Sequence, residues 1–256
     1  MLLAIDVGNT HTVFGLAKGG EWVAVWRRAT DVSATEDELA VWLRGLRELS
    51  GISEDVDAVV CASVVPSAND AVERLSRVWL GCKPLFLSAR DELRLPILYS
   101  PASAVGADRI ANALGALARY EPPLVVVDFG TATTFDAISA AGEYLGGAIL
   151  PGIETSSKAL FDKAAKLPPV EYVAPEHAIG RNTVESLQSG IVLGYAGAID
   201  SLAYRVSEEL GGATVLATGG LSGLFMGVCH RLQHHEPNLT LDGLAIAYSK
   251  LRHSTA

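Results

Sequence analysis

The sequence has little charge and little cysteine for its length. Of its 256 residues, 19% are charged and 49% are hydrophobic, and only 11 are proline. A disordered chain would lack the apolar residues, and a collagen-like or low-complexity chain would be dominated by glycine and proline. Both classes are therefore excluded. The length allows one large domain or two compact lobes.

Basic charge is scarce. The chain has 20 Lys and Arg against 29 Asp and Glu, a formal net charge of -9, and its longest basic run is Arg27-Arg28. Nucleic acids and anionic membrane surfaces both draw their affinity for proteins from lysine and arginine. The composition therefore argues against nucleic acid and against a membrane surface as partners.

No feature of the sequence indicates export or a membrane. Three scattered cysteines, Cys61, Cys82 and Cys229, form no CxxC and are typical of a reducing compartment. The start of the chain has no basic region, and Asp6 interrupts its apolar residues, unlike a secretory signal. The longest uncharged stretch, 210–230, could span a bilayer but contains six glycines, which predict turns. We therefore expect a soluble, cytoplasmic protein.

Several common catalytic motifs are absent. The sequence contains no GxxxxGK[ST], no GxGxxG, no HExxH and no GxSxG. Its six histidines, including the adjacent His234-His235, have no acidic or cysteine partner at a metal-ligand spacing. Any phosphate binding must therefore use neither a Walker A loop nor a Rossmann turn.

Hydrophobic periodicity predicts alternating strands and helices, which indicates an α/β architecture. Thr35 and Glu38 predict a capping box at the first helix. Strands are expected at 2–7, 11–17, 22–26, 57–65, 83–87 and 214–217, and helices at 35–49, 67–80, 104–120, 155–165 and 183–210.

The chain begins its pattern a second time after Glu121-Pro122-Pro123. Shifted by 122 residues, Leu2–Gly8 falls on Leu124–Gly130, Thr12 on Thr134, and Gly20-Glu21-Trp22 on Gly142-Glu143-Tyr144. Two unrelated hairpins would also produce this similarity. The shared register favours a duplication, with one lobe at 1–121 and a second at 122–256.

Glycine turns follow three of the predicted strands. They are Asp6-Val7-Gly8-Asn9-Thr10, Asp128-Phe129-Gly130-Thr131-Ala132-Thr133-Thr134 and Ala217-Thr218-Gly219-Gly220. Glycine lets backbone N–H groups approach an anion, and threonine hydroxyls add donors for phosphate oxygens. Asp6 and Asp128 would repel phosphate but could hold a cation that bridges to it, between two lobes. The alternative is that each aspartate caps its own turn.

A further acidic residue begins a predicted helix in Gly106-Ala107-Asp108-Arg109. Asp108 could simply favour the positive end of the helix dipole. It could also accept a proton while Arg109 binds an anion. The helix end should keep Asp108 ionised and therefore a weak base, which phosphoryl transfer tolerates.

Together these motifs resemble the type III pantothenate kinases, from about residue 1 to 250. DxGNT alone is widespread in the acetate kinase, sugar kinase, Hsp70 and actin superfamily, whereas GADR combined with DxGTATT is more specific. The shared segments are Asp6–Thr10, Gly106–Arg109, Asp128–Thr134, Gly146-Gly147 and Gly180-Arg181-Asn182-Thr183.

The resemblance implies an actin-like, ribonuclease H-like fold of two duplicated lobes, and a homodimer. It implies transfer of the ATP γ-phosphoryl to the primary hydroxyl of pantothenate, the first step of coenzyme A synthesis, with Mg²⁺ accompanying the nucleotide. Asp108 would be the proton acceptor, and Asp128 would bind a monovalent cation, K⁺ or NH₄⁺. The implied ATP contacts are Asp6, Val7, Gly8, Asn9, Thr10, His11, Thr12, Val13 and Thr131. The implied pantothenate contacts are Tyr99, Gly106, Ala107, Asp108, Arg109 and Thr183.

Two other functions remain open from the residues alone. A nucleotide-binding regulator would use the same turns without turnover, although an intact Asp108 and the negative charge speak against it. A phosphatase or polyphosphate hydrolase would release phosphate without an acceptor.

Overall fold

A computed structural model describes residues 1–91 and 93–253. The chain divides into two compact units. The first unit comprises residues 1–95, 100–115 and 240–256, and the second comprises 96–99 and 116–239. These units differ from the predicted lobes of 1–121 and 122–256 chiefly at the carboxyl end.

The first unit is built on a five-stranded sheet. Its strands are β1 (Leu2–Val7), β2 (His11–Lys18), β3 (Glu21–Ala29), β4 (Ala58–Ser63) and β5 (Pro84–Phe86). Its helices are α1 (Glu36–Leu49), α2 (Asn69–Arg74) and α3 (Ala107–Leu117), and the last two residues of α3 belong to the second unit. The strand order is β3-β2-β1-β4-β5, in which β1 pairs antiparallel with β2 and parallel with β4.

Apolar residues of alternate strand positions form the core of this unit. Leu3 and Ile5 of β1 are fully buried and pack with Leu43 of α1 and Leu75, which follows α2. The predicted capping box at α1 is confirmed: the Thr35 side chain accepts from the Glu38 N–H, and the Glu38 carboxylate accepts from the Thr35 N–H at 2.8 Å. The sequence thus fixes where this helix begins.

The second unit repeats this sheet. Its strands are β6 (Leu124–Phe129), β7 (Ala132–Ile138), β8 (Tyr144–Pro151), β9 (Thr214–Gly219) and β10 (His234–His235). Its helices are α4 (Ile153–Lys163), α5 (Thr183–Gln188), α6 (Gly194–Glu209) and α7 (Ser222–Met226). The strand order is β10-β9-β6-β7-β8, in which β6 pairs antiparallel with β7 and parallel with β9, as β1 does with β2 and β4.

The strand pairing refines the predicted repeat. Val7 pairs with Thr12, and Phe129 pairs with Thr133, so the second turn is one residue shorter than the first. Thr12 therefore corresponds to Thr133 and not to Thr134, as the ungapped shift predicted. Both second strands then break register at equivalent positions, between Leu16 and Ala17 and between Ala137 and Ile138. The shift of 122 is restored after this break, because the connection from Ile138 to Tyr144 is one residue longer than that from Ala17 to Trp22.

The last helix, α8 (Leu239–His253), belongs almost entirely to the first unit. The Thr240 hydroxyl donates to Asn112 Oδ1 of α3 at 2.8 Å, and a Cβ at Gly243 would overlap the Ala111 backbone. On the sheet side, the Trp22 indole N–H donates to Asp242 Oδ1 at 2.7 Å. Close packing on α3 and on β3 explains why the chain returns to the first unit after residue 239.

The predicted helix 183–210 is interrupted in its hydrogen bonding. α5 and α6 are joined by a π-helical stretch, Ser189–Leu193. Across the described residues, no helix is both long enough and apolar enough to cross a membrane.

Candidate active site

The first glycine turn follows β1 directly. Asp6 is the second-last residue of that strand, and the Gly8 N–H donates to the His11 carbonyl at 3.0 Å. A Cβ at Gly8 would lie 3.0 Å from the same oxygen, so glycine permits the tight turn. Asn9 and Thr10 are exposed at its tip. The turn can therefore present backbone N–H groups and short polar side chains to an anion.

Two residues of the predicted ATP set support the turn from inside the unit. Thr12 is 7% exposed and Val7 is 1% exposed. Thr12 Oγ1 lies 2.9 Å from Thr30 Oγ1, and the Thr30 hydroxyl donates to the Gly8 carbonyl at 2.6 Å. The Thr12 side chain is therefore part of the framework, whereas Asn9 and Thr10 are exposed and Asp6 and His11 are partly exposed.

Asp108 is the second residue of α3 and folds back on its own helix start. Its Oδ1 accepts from the Arg109 N–H at 2.8 Å. The same oxygen lies so close to Gly106 that a Cβ there would overlap it. Val64 joins this segment to the first turn, because its N–H donates to the Val7 carbonyl at 3.0 Å and its side chain would lie 3.5 Å from a Gly106 Cβ. Asp6 and Asp108 thus both lie at the carboxyl ends of β1 and β4.

Burial raises the pKa of Asp108 above its ordinary value. The Arg109 N–H and guanidinium act in the opposite direction but do not outweigh it. The sequence-based expectation, a helix end that keeps Asp108 a weak base, is therefore wrong: desolvation of the carboxylate is the larger effect. An aspartate with a raised pKa is a stronger base when ionised. Arg109 beside it is itself buried, 9% exposed.

In the second unit, Asp128 lies against the end of β9. Gly219 has φ +90°, and a Cβ there would lie 2.5 Å from Asp128 Oδ1 and 2.7 Å from the Phe129 carbonyl oxygen. Only glycine fits, because the Asp128 carboxylate and both the nitrogen and the carbonyl oxygen of Phe129 crowd this backbone position. A carboxylate and a carbonyl oxygen are ligands that hard cations prefer. Within 1–91 and 93–253, no group of three His, Cys, Asp or Glu side chains could hold a metal ion.

The second hairpin turn is anchored by α4 and α6. The Thr131 side chain is exposed, while its carbonyl accepts from the Gly152 N–H at 3.0 Å and from the Thr155 hydroxyl at 2.8 Å. Thr133 is buried, and its Oγ1 lies 2.8 Å from the Tyr195 hydroxyl. The turn therefore leaves Thr131 accessible on a fixed backbone.

The remaining predicted substrate contacts also lie in the second unit. The Tyr99 ring covers Gly146, where a Cβ would lie 2.8 Å from its Cδ2. Thr183 is exposed as the first residue of α5, whose start is capped by Asn182 accepting from the Glu185 N–H at 2.9 Å. Asn182 thus acts as the N-cap of α5, and the lack of a side chain at Gly146 makes room for the Tyr99 ring.

Sequence reasoning missed Thr30 and Tyr195. Each lies far along the chain from the threonine that it contacts, 18 residues for Thr30 and 62 for Tyr195. Neither belongs to a glycine turn, so no local pattern distinguishes it from an ordinary strand or helix residue.

The arrangement of two five-stranded sheets with helices matches that of solved structures over nearly the whole chain. A ROK hexokinase from Thermus thermophilus matches with TM-score 0.50 at 13% identity, covering 98% of this chain and 99% of its own. A Campylobacter jejuni protein assigned to the Baf family of transcriptional activators matches with TM-score 0.57 at 18% identity, covering 98% and 99%. At such identities the likeness concerns the fold, and the predicted two-lobe α/β class is confirmed.

Sequence relatives identify the family. The family model for type III pantothenate kinase matches residues 2–205. A type III pantothenate kinase of Anaeromyxobacter sp. (strain Fw109-5) is 47% identical over 98% of this chain and 100% of its own length. One of Myxococcus xanthus is 46% identical over 98% of each. The chain belongs to the type III pantothenate kinase family, as the motifs predicted.

Proposed function

We propose that this chain transfers the γ-phosphoryl group of ATP to the primary hydroxyl of pantothenate, with Asp108 as the proton acceptor. The observation that carries the assignment is the placement of Asp108. Its carboxylate is held by Gly106 and the Arg109 N–H, at the strand ends that also carry the Asp6 turn.

The reaction then balances on one proton transfer. The pantothenate hydroxyl oxygen attacks the γ-phosphorus, the bond from that phosphorus to the β-γ bridging oxygen breaks, and ADP leaves. The hydroxyl proton passes to Asp108. Because the transition state is loose, positioning and charge stabilisation contribute more than base strength. Arg109 supplies a guanidinium for the pantothenate carboxylate, a pairing that favours two parallel hydrogen bonds.

Both hairpin turns would serve the nucleotide. In the first, Asp6–Val13 would line the phosphates with backbone N–H groups, with Asn9 and Thr10 reaching them by side chain. Thr131 would contribute from the second. Mg²⁺ would enter with ATP, held mainly by phosphate oxygens, as Mg²⁺ commonly is in kinases.

Asp128 suits a monovalent cation, K⁺ or NH₄⁺. Its Oδ1 and the Phe129 carbonyl oxygen both lie within 2.7 Å of the position that a Gly219 Cβ would take, and this pair of nearby oxygens supports the assignment. Such a cation would supply positive charge that offsets the phosphates. We assign to pantothenate the segment Gly106–Arg109 together with Tyr99 and Thr183.

A homodimer and a cytoplasmic location remain predictions. Consistent with a partner, an added Cβ at Gly190, Gly194 or Gly197 of the α5–α6 segment would meet no described atom within 4 Å beyond its chain neighbours and the adjacent helix backbone. Light scattering of the purified protein would measure the mass directly.

ADP release from Mg-ATP tests the proposed reaction, with and without pantothenate, in K⁺ and then in Na⁺ buffer. Release that requires both pantothenate and K⁺ is the expected result. Release without acceptor would favour a hydrolase. No release under any condition would favour a nucleotide-binding regulator.

A further inference from the structure

A buried serine links the Asp128 region to a histidine that the proposed reaction does not use. Ser222, the first residue of α7, is 1% exposed. Its Oγ lies 2.6 Å from the Gly219 carbonyl oxygen and 2.9 Å from His235 Nε2. One hydroxyl thus joins the end of β9 to β10.

The direction of these hydrogen bonds follows from the hydroxyl's single proton. A carbonyl can only accept, so Ser222 donates to Gly219. His235 Nε2 must then carry a hydrogen and donate to Ser222 Oγ. The neutral Nε2–H tautomer and the imidazolium both satisfy this requirement, so the chain His235–Ser222–Gly219 persists in either protonation state.

The backbone of His235 is fixed independently of its ring. β10 pairs parallel with β9, placing His235 opposite Ala217, and the Glu236 N–H donates to the Ala217 carbonyl at 2.8 Å. The Glu236 carboxylate accepts from the Tyr120 hydroxyl at 2.5 Å and pairs with Arg119. The imidazole therefore extends from a secured strand toward Ser222.

Gly219 connects the hydrogen bonds of Ser222 and His235 to Asp128. Its backbone, at φ +90°, touches the Asp128 carboxylate so closely that a Cβ would lie 2.5 Å from Oδ1. We propose that Ser222 and His235 are positioning residues, which hold Gly219 against Asp128 and thereby set the affinity for the monovalent cation. The inference rests on the proposed function, in which Asp128 is the cation ligand.

The expected consequence is selective. Without the Ser222 hydroxyl, the Gly219 carbonyl loses its buried donor and the turn can shift away from Asp128. Cation affinity should then fall while the catalytic groups of the first unit are untouched. The variant should regain turnover when the cation concentration is raised.

The experiment measures the K⁺ response of the full-length protein in two ways. The first is the K⁺ concentration that gives half-maximal turnover. The second is the rise in melting temperature on adding K⁺ to protein with no substrate. For Ser222→Ala we expect the half-maximal K⁺ concentration to rise about 3- to 10-fold, the scale of one lost hydrogen bond. We expect kcat at saturating K⁺ within about twofold of the parent, and a weaker K⁺ effect on melting.

Two further variants keep the result interpretable. His235→Ala changes an exposed side chain and should shift the K⁺ response in the same direction, even where Ser222→Ala folds poorly. Ser207→Ala is the matched control, because Ser207 accepts from the Ala213 N–H at 2.8 Å at the opposite end of β9. It should lower the melting temperature and leave the K⁺ response unchanged.

The outcomes separate the inference from the proposed function. A parent protein with no K⁺ response in either measurement would overturn the cation assignment and this inference with it. A responding parent, with Ser222→Ala and His235→Ala that respond equally, would overturn the positioning role alone. A Ser222→Ala variant that only melts earlier, as Ser207→Ala does, would show that the serine is merely structural.

Discussion

In the first unit, the buried Thr12 is held by Thr30, which follows the neighbouring strand β3; in the second, the corresponding Thr133 is held by Tyr195 of α6. The strand pairing around the two threonines is the same, with Val7 opposite Thr12 and Phe129 opposite Thr133. The sheet topology is therefore repeated, whereas the side chains that fix each turn are not. A repeated backbone can be stabilised by different side chains, because a hydroxyl group from any neighbouring strand or helix can hydrogen-bond to the buried threonine.

The neighbouring strand shows a second difference. Ser63 of β4 lies opposite Val7, while Gly219 of β9 lies opposite Phe129. Glycine lets the backbone approach Asp128, and the first unit has no such glycine at this position. The first unit instead has Asp108 at the same end of its sheet. Under the proposed function, the proton acceptor and the cation ligand therefore belong to different units.

The largest effect is expected at Asp108. Asp108→Asn should keep the fold, since an amide oxygen can still accept from the Arg109 N–H, and should lower kcat by about 10²- to 10⁴-fold as a general base is lost. Steady-state kinetics at saturating ATP and pantothenate measure this. Asp70→Asn, at an exposed carboxylate 3.1 Å from Arg74, is the control and should retain parental turnover. Near-normal turnover of Asp108→Asn would show that Asp108 is not the proton acceptor, and the proposed difference in role between the two units would be lost.

Gly219→Ala, at the end of β9, should be strongly destabilising. The positive φ strains any side chain, and the Cβ would also lie 2.6 Å from the Phe129 nitrogen. We expect unfolding in urea to require about 3–4 kcal/mol less free energy than in the parent. Gly51→Ala separates the two causes, because Gly51 has φ +69° with nothing within 4 Å of an added Cβ. It should cost only about 1 kcal/mol. Equal losses in both variants would show that the close approach to Asp128 has no energetic weight.

The two hydroxyl anchors should have similar, smaller effects. Thr30→Val leaves the Gly8 carbonyl without the hydroxyl that donates to it, and Tyr195→Phe removes the partner of Thr133. Each should lower the free energy of unfolding by about 1–2 kcal/mol in urea titrations. The double variant should show the sum, because the two hydroxyls share no partner. A marked loss for only one of them would mean that one turn is held by its backbone alone.

Much of the framework was predictable because it depends on local patterns. Apolar periodicity located β1 to β5 and β9, and the internal repeat indicated β6 to β8, whereas the two-residue β10 was missed. Thr35 with Glu38 located the start of α1, and paired Asp-x-Gly segments located both turns. The return of α8 to the first unit could not be predicted, since it depends on Gly243 meeting the Ala111 backbone. The one-residue difference between the turns was also missed, because an ungapped shift hides a shorter turn when the next connection, between β7 and β8, is one residue longer. The direction of the Asp108 pKa depends on burial, which no residue spacing reveals.

The smallest expected effect is a pH dependence of stability that distinguishes Asp108 from an ordinary surface carboxylate. Because its folded-state pKa is raised above the usual value of 3.8, the folded protein holds this proton at pH values where the unfolded chain has released it. Stability from this group is therefore fully present below the unfolded pKa and is lost as pH rises through the folded pKa. Asp108→Asn cannot ionise, so its stability relative to the parent should increase with pH across that window and then level off. Urea unfolding of both proteins from about pH 4 to about pH 8 measures the difference. A difference independent of pH, or one that shrinks as pH rises, would mean that the Arg109 charge outweighs burial, and that Asp108 is the weak base that its helix position alone suggests.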